Sequence, residues 1–231
     1  MTARTGWLLA GAVLTVIAVT VGPATAALWL ARQLETQRRT YELRGDAFAV
    51  EFDDPDIRIV PGHAGELVVE RSLAWSAGRP TVTEEWDGQR LRISAECPRV
   101  PIGPRCDVEY TLRVPPGAAL AARGGHGDLT IGDLDGRLSA QTTSGDIRST
   151  NLRCAEVSLR TISGDVRARF TRPPDRVDAT TTTGDIELGV PPNVAYRLHV
   201  DAAQRQLGIG HDATAPRTIS ARTERGSVRL G

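Results

Sequence analysis

Ser144-Gly145-Asp146-Ile147 returns in this chain as Ser163-Gly164-Asp165-Val166 and again as Thr183-Gly184-Asp185-Ile186. Aligned on the glycine, the phrase extends back to His126-Gly127-Asp128-Leu129 and forward to Arg225-Gly226-Ser227-Val228, with a degenerate copy at Gln204-Arg205-Gln206-Leu207. The six centres step by 18, 19, 20, 21 and 21 residues. A period near 20 residues marks a stacked repeat architecture, in which each unit buries its apolar face only against its neighbours.

Seven residues before each centre stands an apolar residue (Leu120, Leu138, Val157, Val177, Leu198, Ile219), and two residues after it another (Leu129, Ile147, Val166, Ile186, Leu207, Val228). Two positions beyond each of these, the residue is again apolar or small. This is period-two alternation, the pattern of a strand with one buried face. Thr142, Thr161, Thr181 and Thr223 share one site between the anchors, with Ala202 in the degenerate copy, and a stack would bring their hydroxyls into a ladder. The nine-residue spacing between anchors never changes, whereas the loops between units vary in length. Each unit therefore reads as strand, bend, strand, and the fold as an all-β solenoid with two short strands per coil.

Gly127, Gly145, Gly164, Gly184 and Gly226 fall at the bend, where a positive φ or a close backbone approach favours glycine. Asp128, Asp146, Asp165 and Asp185 follow them and would lie about 4.8 Å apart in an in-register stack. Side by side, carboxylates repel unless they meet amides, arginines or a cation. The row reads first as turn caps, with a Ca²⁺ track as the weaker alternative, because the denser Gly-Gly-x-Gly-x-Asp phrase of calcium-binding rolls is missing. No metal and no cofactor is expected.

The rest of the chain divides into a tail (1–5), an uncharged stretch (6–31), a polar linker (32–45), a β segment (46–116) and the repeats (117–231). Residues 6–31 are long enough to cross a bilayer. Trp7 and Trp29 near its ends favour an uncleaved signal-anchor, while Ala24-Thr25-Ala26 is also compatible with cleavage after Ala26. Arg32, Arg38, Arg39 and Arg44 outnumber Arg4, which by the positive-inside rule opposes an external β domain. Cys97 and Cys106 flank a compact proline-rich loop and are expected to close as a disulfide in an oxidising compartment, leaving Cys154 over; three ordinary thiols are the alternative. Weighing these, the β domain is placed outside the membrane on a single span. In the β segment, strands are expected at 48–52, 57–60, 67–73, 81–86, 91–95 and 108–114, forming opening coils or a cap over the first edge of the stack.

Composition excludes several classes. The formal net charge is zero, and every basic residue is arginine, the usage of a GC-rich bacterial genome. With no basic field, and only Phe170 and Tyr196 as aromatics in the repeats, nucleic-acid binding is not expected. His63, His126, His199 and His211 share no ligand spacing, and no nucleophile elbow or zinc-protease helix occurs. Arg123, Arg160 and Arg222 share one outward repeat position with Gln141, Thr180 and Asp201, read as a solvated face that anionic envelope polymers would suit.

These features resemble the bacterial putative-adhesin family, domains of unknown function with Gly-Asp β-strand repeats. The likeness is greatest to membrane-anchored, actinobacterial-type members. There a single N-terminal helix precedes an early β segment, a Cys-Pro loop and the repeats; here these are 6–31, 48–95, Cys97-Pro98 through Cys106 to Tyr110, and the phrases above. The resemblance implies an envelope-associated, non-enzymatic adhesin or scaffold domain whose partners are a cell-wall polymer, a surface ligand or another membrane protein. It supplies no catalytic residues. Arg205 in place of glycine and Ser227 in place of aspartate depart from the pattern. An envelope-stress sensing accessory protein is the alternative, and a carbohydrate-active β-helix enzyme a more distant one.

Overall fold

The computed structural model describes residues 33–43, 45–76, 78–99 and 106–231; the expected membrane span at 6–31 lies outside them. The described chain contains no helix and nineteen strands. The N-terminal seven are β1 (Gln33–Glu42), β2 (Ala47–Phe52), β3 (Asp56–Pro61), β4 (Glu66–Trp75), β5 (Thr81–Trp86), β6 (Arg90–Glu96) and β7 (Asp107–Val114). The six repeats follow as pairs. These are β8 (Ala119–Gly124) with β9 (Leu129–Gly132), β10 (Leu138–Gln141) with β11 (Ile147–Leu152), and β12 (Glu156–Arg160) with β13 (Val166–Phe170). After them come β14 (Arg176–Thr183) with β15 (Ile186–Gly189), β16 (Arg197–Asp201) with β17 (Gln204–Leu207), and β18 (Thr218–Arg225) with β19 (Ser227–Leu230).

Within each repeat the chain runs along one sheet, bends at the Gly-Asp phrase or its degenerate copy, and continues along the other, so each strand meets its counterpart in a spatially neighbouring repeat in parallel. The result is a nine-stranded sheet, in the order β16-β18-β14-β12-β10-β8-β2-β6-β5, and a ten-stranded sheet, in the order β1-β4-β7-β3-β9-β11-β13-β15-β19-β17. Between them lies one contiguous core. The first anchors stack as Phe48, Leu120, Leu138, Val157, Val177 and Ile219, and the second as Ile57, Leu129, Ile147, Val166, Ile186 and Val228. All twelve are buried. At about 1.5–3 kcal/mol for each fully buried aliphatic side chain, these columns are the main cohesive element of the stack.

The six strands expected in the N-terminal segment all form, β5 with the bounds expected and the other five extended by a residue or two at one or both ends. They serve both roles foreseen for them. β2–β3 and β6–β7 are further coils of the same solenoid, whereas β4 and β5 turn antiparallel and close its end. Residues 32–45 are not a free tether: β1 occupies ten of them and pairs antiparallel along the whole of β4. Its Tyr41 ring lies 5.6 Å from Trp86, and Arg39 and Glu35 reach Glu84 and Arg79 across the open end of the sandwich.

The coils are not stacked in chain order at the far end. β18 pairs with both β14 and β16, so the sixth repeat lies between the fourth and the fifth, and the degenerate copy forms the outer edge. This edge position explains why its apolar pattern is only partly buried. Leu207, expected as a core anchor, is 47% exposed.

Candidate functional site

The recurring Gly-Asp phrase is the first candidate, and its geometry assigns it to the frame. A Cβ built on Gly145 would stand 2.3 Å from the Gly127 carbonyl oxygen; on Gly164, 2.3 Å from that of Gly145; on Gly184, 2.1 Å from that of Gly164; and on Gly226, 2.0 Å from that of Gly184. Gly127 stands in the same relation to Pro55, at 2.1 Å. Close backbone approach is therefore the common requirement, since only Gly164, Gly184 and Gly226 have positive φ. The threonine ladder completes the column: Thr161 and Thr142 donate to the Gly145 carbonyl, Thr181 to that of Gly164 and Thr223 to that of Gly184, at 2.9–3.1 Å. All four threonines are buried, so each hydroxyl is spent on the main chain.

The aspartates are capping groups, but the amide each one binds is in the neighbouring coil rather than in its own turn. Asp128 Oδ1 accepts from the Asp146 amide, Asp146 from Asp165, Asp165 from Asp185, and Asp185 from Ser227, at 2.7–2.8 Å. Asp56, not singled out in the sequence, heads the row by accepting from the Asp128 amide at 2.9 Å. The only signal for it was its position in the turn Asp53-Asp54-Pro55-Asp56, which lacks the glycine. The second oxygens of Asp128, Asp146 and Asp165 meet two arginines, Arg148 and Arg167, which stand two residues after Asp146 and Asp165. Arg148 reaches Asp128 at 2.8 Å and Asp146 at 2.5 Å, and Arg167 reaches Asp165 at 2.7 Å. Hydrogen bonding to Asp128 raises the Arg148 guanidinium above its ordinary value. With an amide on one oxygen and a guanidinium on the other, Asp128, Asp146 and Asp165 are held by the protein's own donors.

Ser227 ends this row. Its amide and its hydroxyl both donate to Asp185 Oδ1, at 2.7 and 3.0 Å, and it has no carboxylate to offer a further coil. These bonds, the backbone one first, hold the Asp185 carboxyl below its ordinary value. A carboxyl lowered on folding adds stability above its unfolded pKa, near 4, and that contribution is lost as pH falls through the lower folded value. Thermal melts of the wild type are expected to drop below pH ~4. Asp185→Asn, which keeps an acceptor but cannot titrate, should show a flatter acid limb.

Cys97 and Cys106 form the expected disulfide, with Cα atoms 5.7 Å apart, joining the end of β6 to the start of β7. Cys154 is buried, donates to the Leu134 carbonyl at 3.4 Å, and has its thiol pushed up to about 11 by burial. Folded protein should therefore yield no reactive thiol to a disulfide-exchange reagent, and reduction should release two. Closing so short a loop is worth about 2–3 kcal/mol, so reduction should lower the melting temperature without abolishing the fold. The histidines are dispersed. His126 lies 3.5 Å from Asp54, and His211 accepts from the Leu198 amide, while among the described residues no cluster of three metal-ligating side chains occurs.

A second set of polar side chains lies on the outer face of the nine-stranded sheet. An open depression of about 830 Å³ lies on it, floored by Ala47, Ala49, Ala119 and Ala121 and flanked by Arg90 and Arg137; a second of about 540 Å³ adjoins it around Glu51, Arg92 and Arg123. Arg123, Arg160 and Arg222 stand exposed on this face, as expected.

The fold is a two-sheeted, largely parallel β-solenoid whose polar phrase joins coil to coil. Residues 118–230 match the Toastrack DUF4097 family model. Among solved structures, the chain is similar to a putative cell adhesion protein from Clostridium sporogenes, at 9% identity and a TM-score of 0.45, over 86% of this chain and 99% of that one. It is also similar to a putative adhesin from Bacteroides fragilis, at 14% identity and a TM-score of 0.45, over 85% and 97%. No curated protein matches the chain.

Proposed function

We propose that the chain is a non-catalytic binding domain of the bacterial cell envelope, displayed outside the membrane on an N-terminal span as in actinobacterial-type members of the putative-adhesin family. The observation behind this reading is the division of labour among its polar groups. The repeated Thr, Gly and Asp positions are used up between coils, while the outer face of the nine-stranded sheet keeps a regular array of long polar side chains for contact. The Cys97–Cys106 bridge supports an oxidising compartment, and the uncharged 6–31 stretch supplies the span.

The test is retention of the full-length protein, in detergent, on fractionated cell-wall polymers and lipids. Protease shaving of intact cells reports its side of the membrane. Binding by wild type and none by a misfolded bend variant is expected. A chain protected from external protease, or one that retains no fraction, would remove the reading.

A further inference from the structure

Three rows of side chains cross the outer face of the nine-stranded sheet at right angles to its strands. The register places Arg123, Gln141, Arg160, Thr180 and Arg222 in one outer row, on β8, β10, β12, β14 and β18 in spatial order. The other outer row holds Ala119, Arg137, Glu156, Arg176 and Thr218, on the same strands except that Arg137 immediately precedes β10. Arginines therefore alternate from side to side, one per strand: Arg123, Arg137, Arg160, Arg176, Arg222. On β16 the alternation continues with Arg197, whose guanidinium is held by the carbonyls of Ala213 and Ala215. The row between them is Ala121, Ser139, Ser158, Asp178 and Ser220, all short.

This is a shallow channel with a floor of small residues and walls of staggered guanidinium groups, advancing about 4.8 Å per strand and repeating on each wall at about twice that. The Ala47–Ala121 depression is its mouth. Its charge is unbalanced toward the cation. Arg90, Arg92 and Arg123 share the single carboxylate of Glu51, at 3.4, 3.1 and 3.9 Å, and Arg176 has no acidic partner among the described residues. Arg137, Arg160 and Arg222 each have one, Glu156, Asp178 and Asp201. Each still presents spare donors, since a guanidinium carries five N–H groups and more than half of each of these side chains is exposed.

We propose that this channel binds an extended, 1,4-linked acidic polysaccharide, one sugar per strand. In such a chain with a twofold screw, successive carboxylates turn to opposite sides and the chain advances by about one inter-strand spacing per residue. That is the stagger of the arginine walls, and planar guanidinium groups pair with carboxylates at both of their oxygens. The serine hydroxyls of the floor, Ser139, Ser158 and Ser220, lie under the sugar ring, where they donate to and accept from its hydroxyls. No aromatic platform lies in these rows, so the charge pattern rather than ring stacking selects the ligand. This assignment rests on the surface-binding reading and adds the ligand class to it.

The experiment is titration of the full-length protein in detergent with oligomers of β-1,4-linked mannuronate, by calorimetry at two salt concentrations. Saturable binding that weakens as salt rises is expected. Arg123→Gln/Arg160→Gln/Arg222→Gln and Arg137→Gln/Arg176→Gln should each lower affinity by about tenfold or more, whereas Arg169→Gln, on the opposite sheet, should leave it unchanged. Melting curves of the variants verify their fold. No binding, equal loss in the Arg169 variant, or equal affinity for a neutral β-1,4 glycan would overturn the proposal. So would tighter binding of polyphosphate or single-stranded DNA of matched charge. If the mannuronate arm fails while cell-wall fractions still retain the protein, the ligand class falls and the surface-binding role stands.

Discussion

Gly184→Val is expected to leave the protein unable to assemble its repeat stack, with loss of the cooperative melt and of the β signature in circular dichroism. The new Cβ would stand 2.1 Å from the Gly164 carbonyl oxygen and 3.1 Å from Asp165 Oδ1, at a φ of +142° that side chains rarely adopt. None of these atoms can move independently. The Gly164 carbonyl accepts from Thr181, and Asp165 Oδ1 accepts the Asp185 amide, so relief of the clash breaks two rows at once. A cost above about 4 kcal/mol is expected, comparable to the whole stability of many domains. Gly65→Ala is the control. Its φ of +78° imposes strain, but nothing lies within 4 Å of the added carbon, and the loss should be about 1 kcal/mol. Equal melting temperatures for the two variants would refute the account of the glycine column.

Arg71→Met is the second large effect. Its guanidinium pairs with Glu84 at 2.7 Å and bonds Gln37, and the Glu84 side chain is only 2% exposed. Tyr110 donates to the same carboxylate at 3.0 Å, and its own ionisation is pushed up by burial and then by Glu84. Removing one partner of a buried pair costs about 3–5 kcal/mol because the other charge stays behind. Here the lower end is expected, since Arg39 remains 3.3 Å from Glu84. Arg71→Met/Glu84→Leu should regain most of that loss, apart from the orphaned Tyr110 hydroxyl. Chemical denaturation of the single and double variants measures the difference. A double variant no more stable than the single would show that the cluster holds the end cap by more than charge pairing.

Much of this architecture was legible because the repeat unit is rigid in length. A fixed step of nine residues from Leu120 to Leu129, and across every later pair, states the strand, the bend and the buried face together. The glycine column was legible as a bend, though its cause, a neighbour's carbonyl rather than a left-handed turn, depends on the adjacent coil. Cross-coil facts were the ones missed. Asp56 joins the aspartate row from a turn with no repeat phrase, and β1 looked like a tether because its face is polar. That face is polar because it meets Arg79, Arg71 and Glu84 rather than the core. Of the arginine channel, one wall was visible at the aligned outward position. The other, Arg137 and Arg176, stands one residue before the first anchor of each repeat, outside the segment over which the copies were compared.

The insertion of the sixth coil between the fourth and the fifth bears on how the molecule is made. β16 and β17 find their partners only in β18 and β19, so a chain emerging from a ribosome or a translocation channel cannot seat residues 197–207 until residues 218–230 have arrived. The repeats from β8–β9 to β14–β15 each find a partner upstream and can add one after another. The last two must dock as a unit, and they bring with them the positions where the columns stop, Ser227 without a carboxylate and Arg205 without the space of a glycine. Seating of the fifth coil is thereby tied to the arrival of β18 and β19, and the edge of the stack is formed by a coil that could not be placed when it was made.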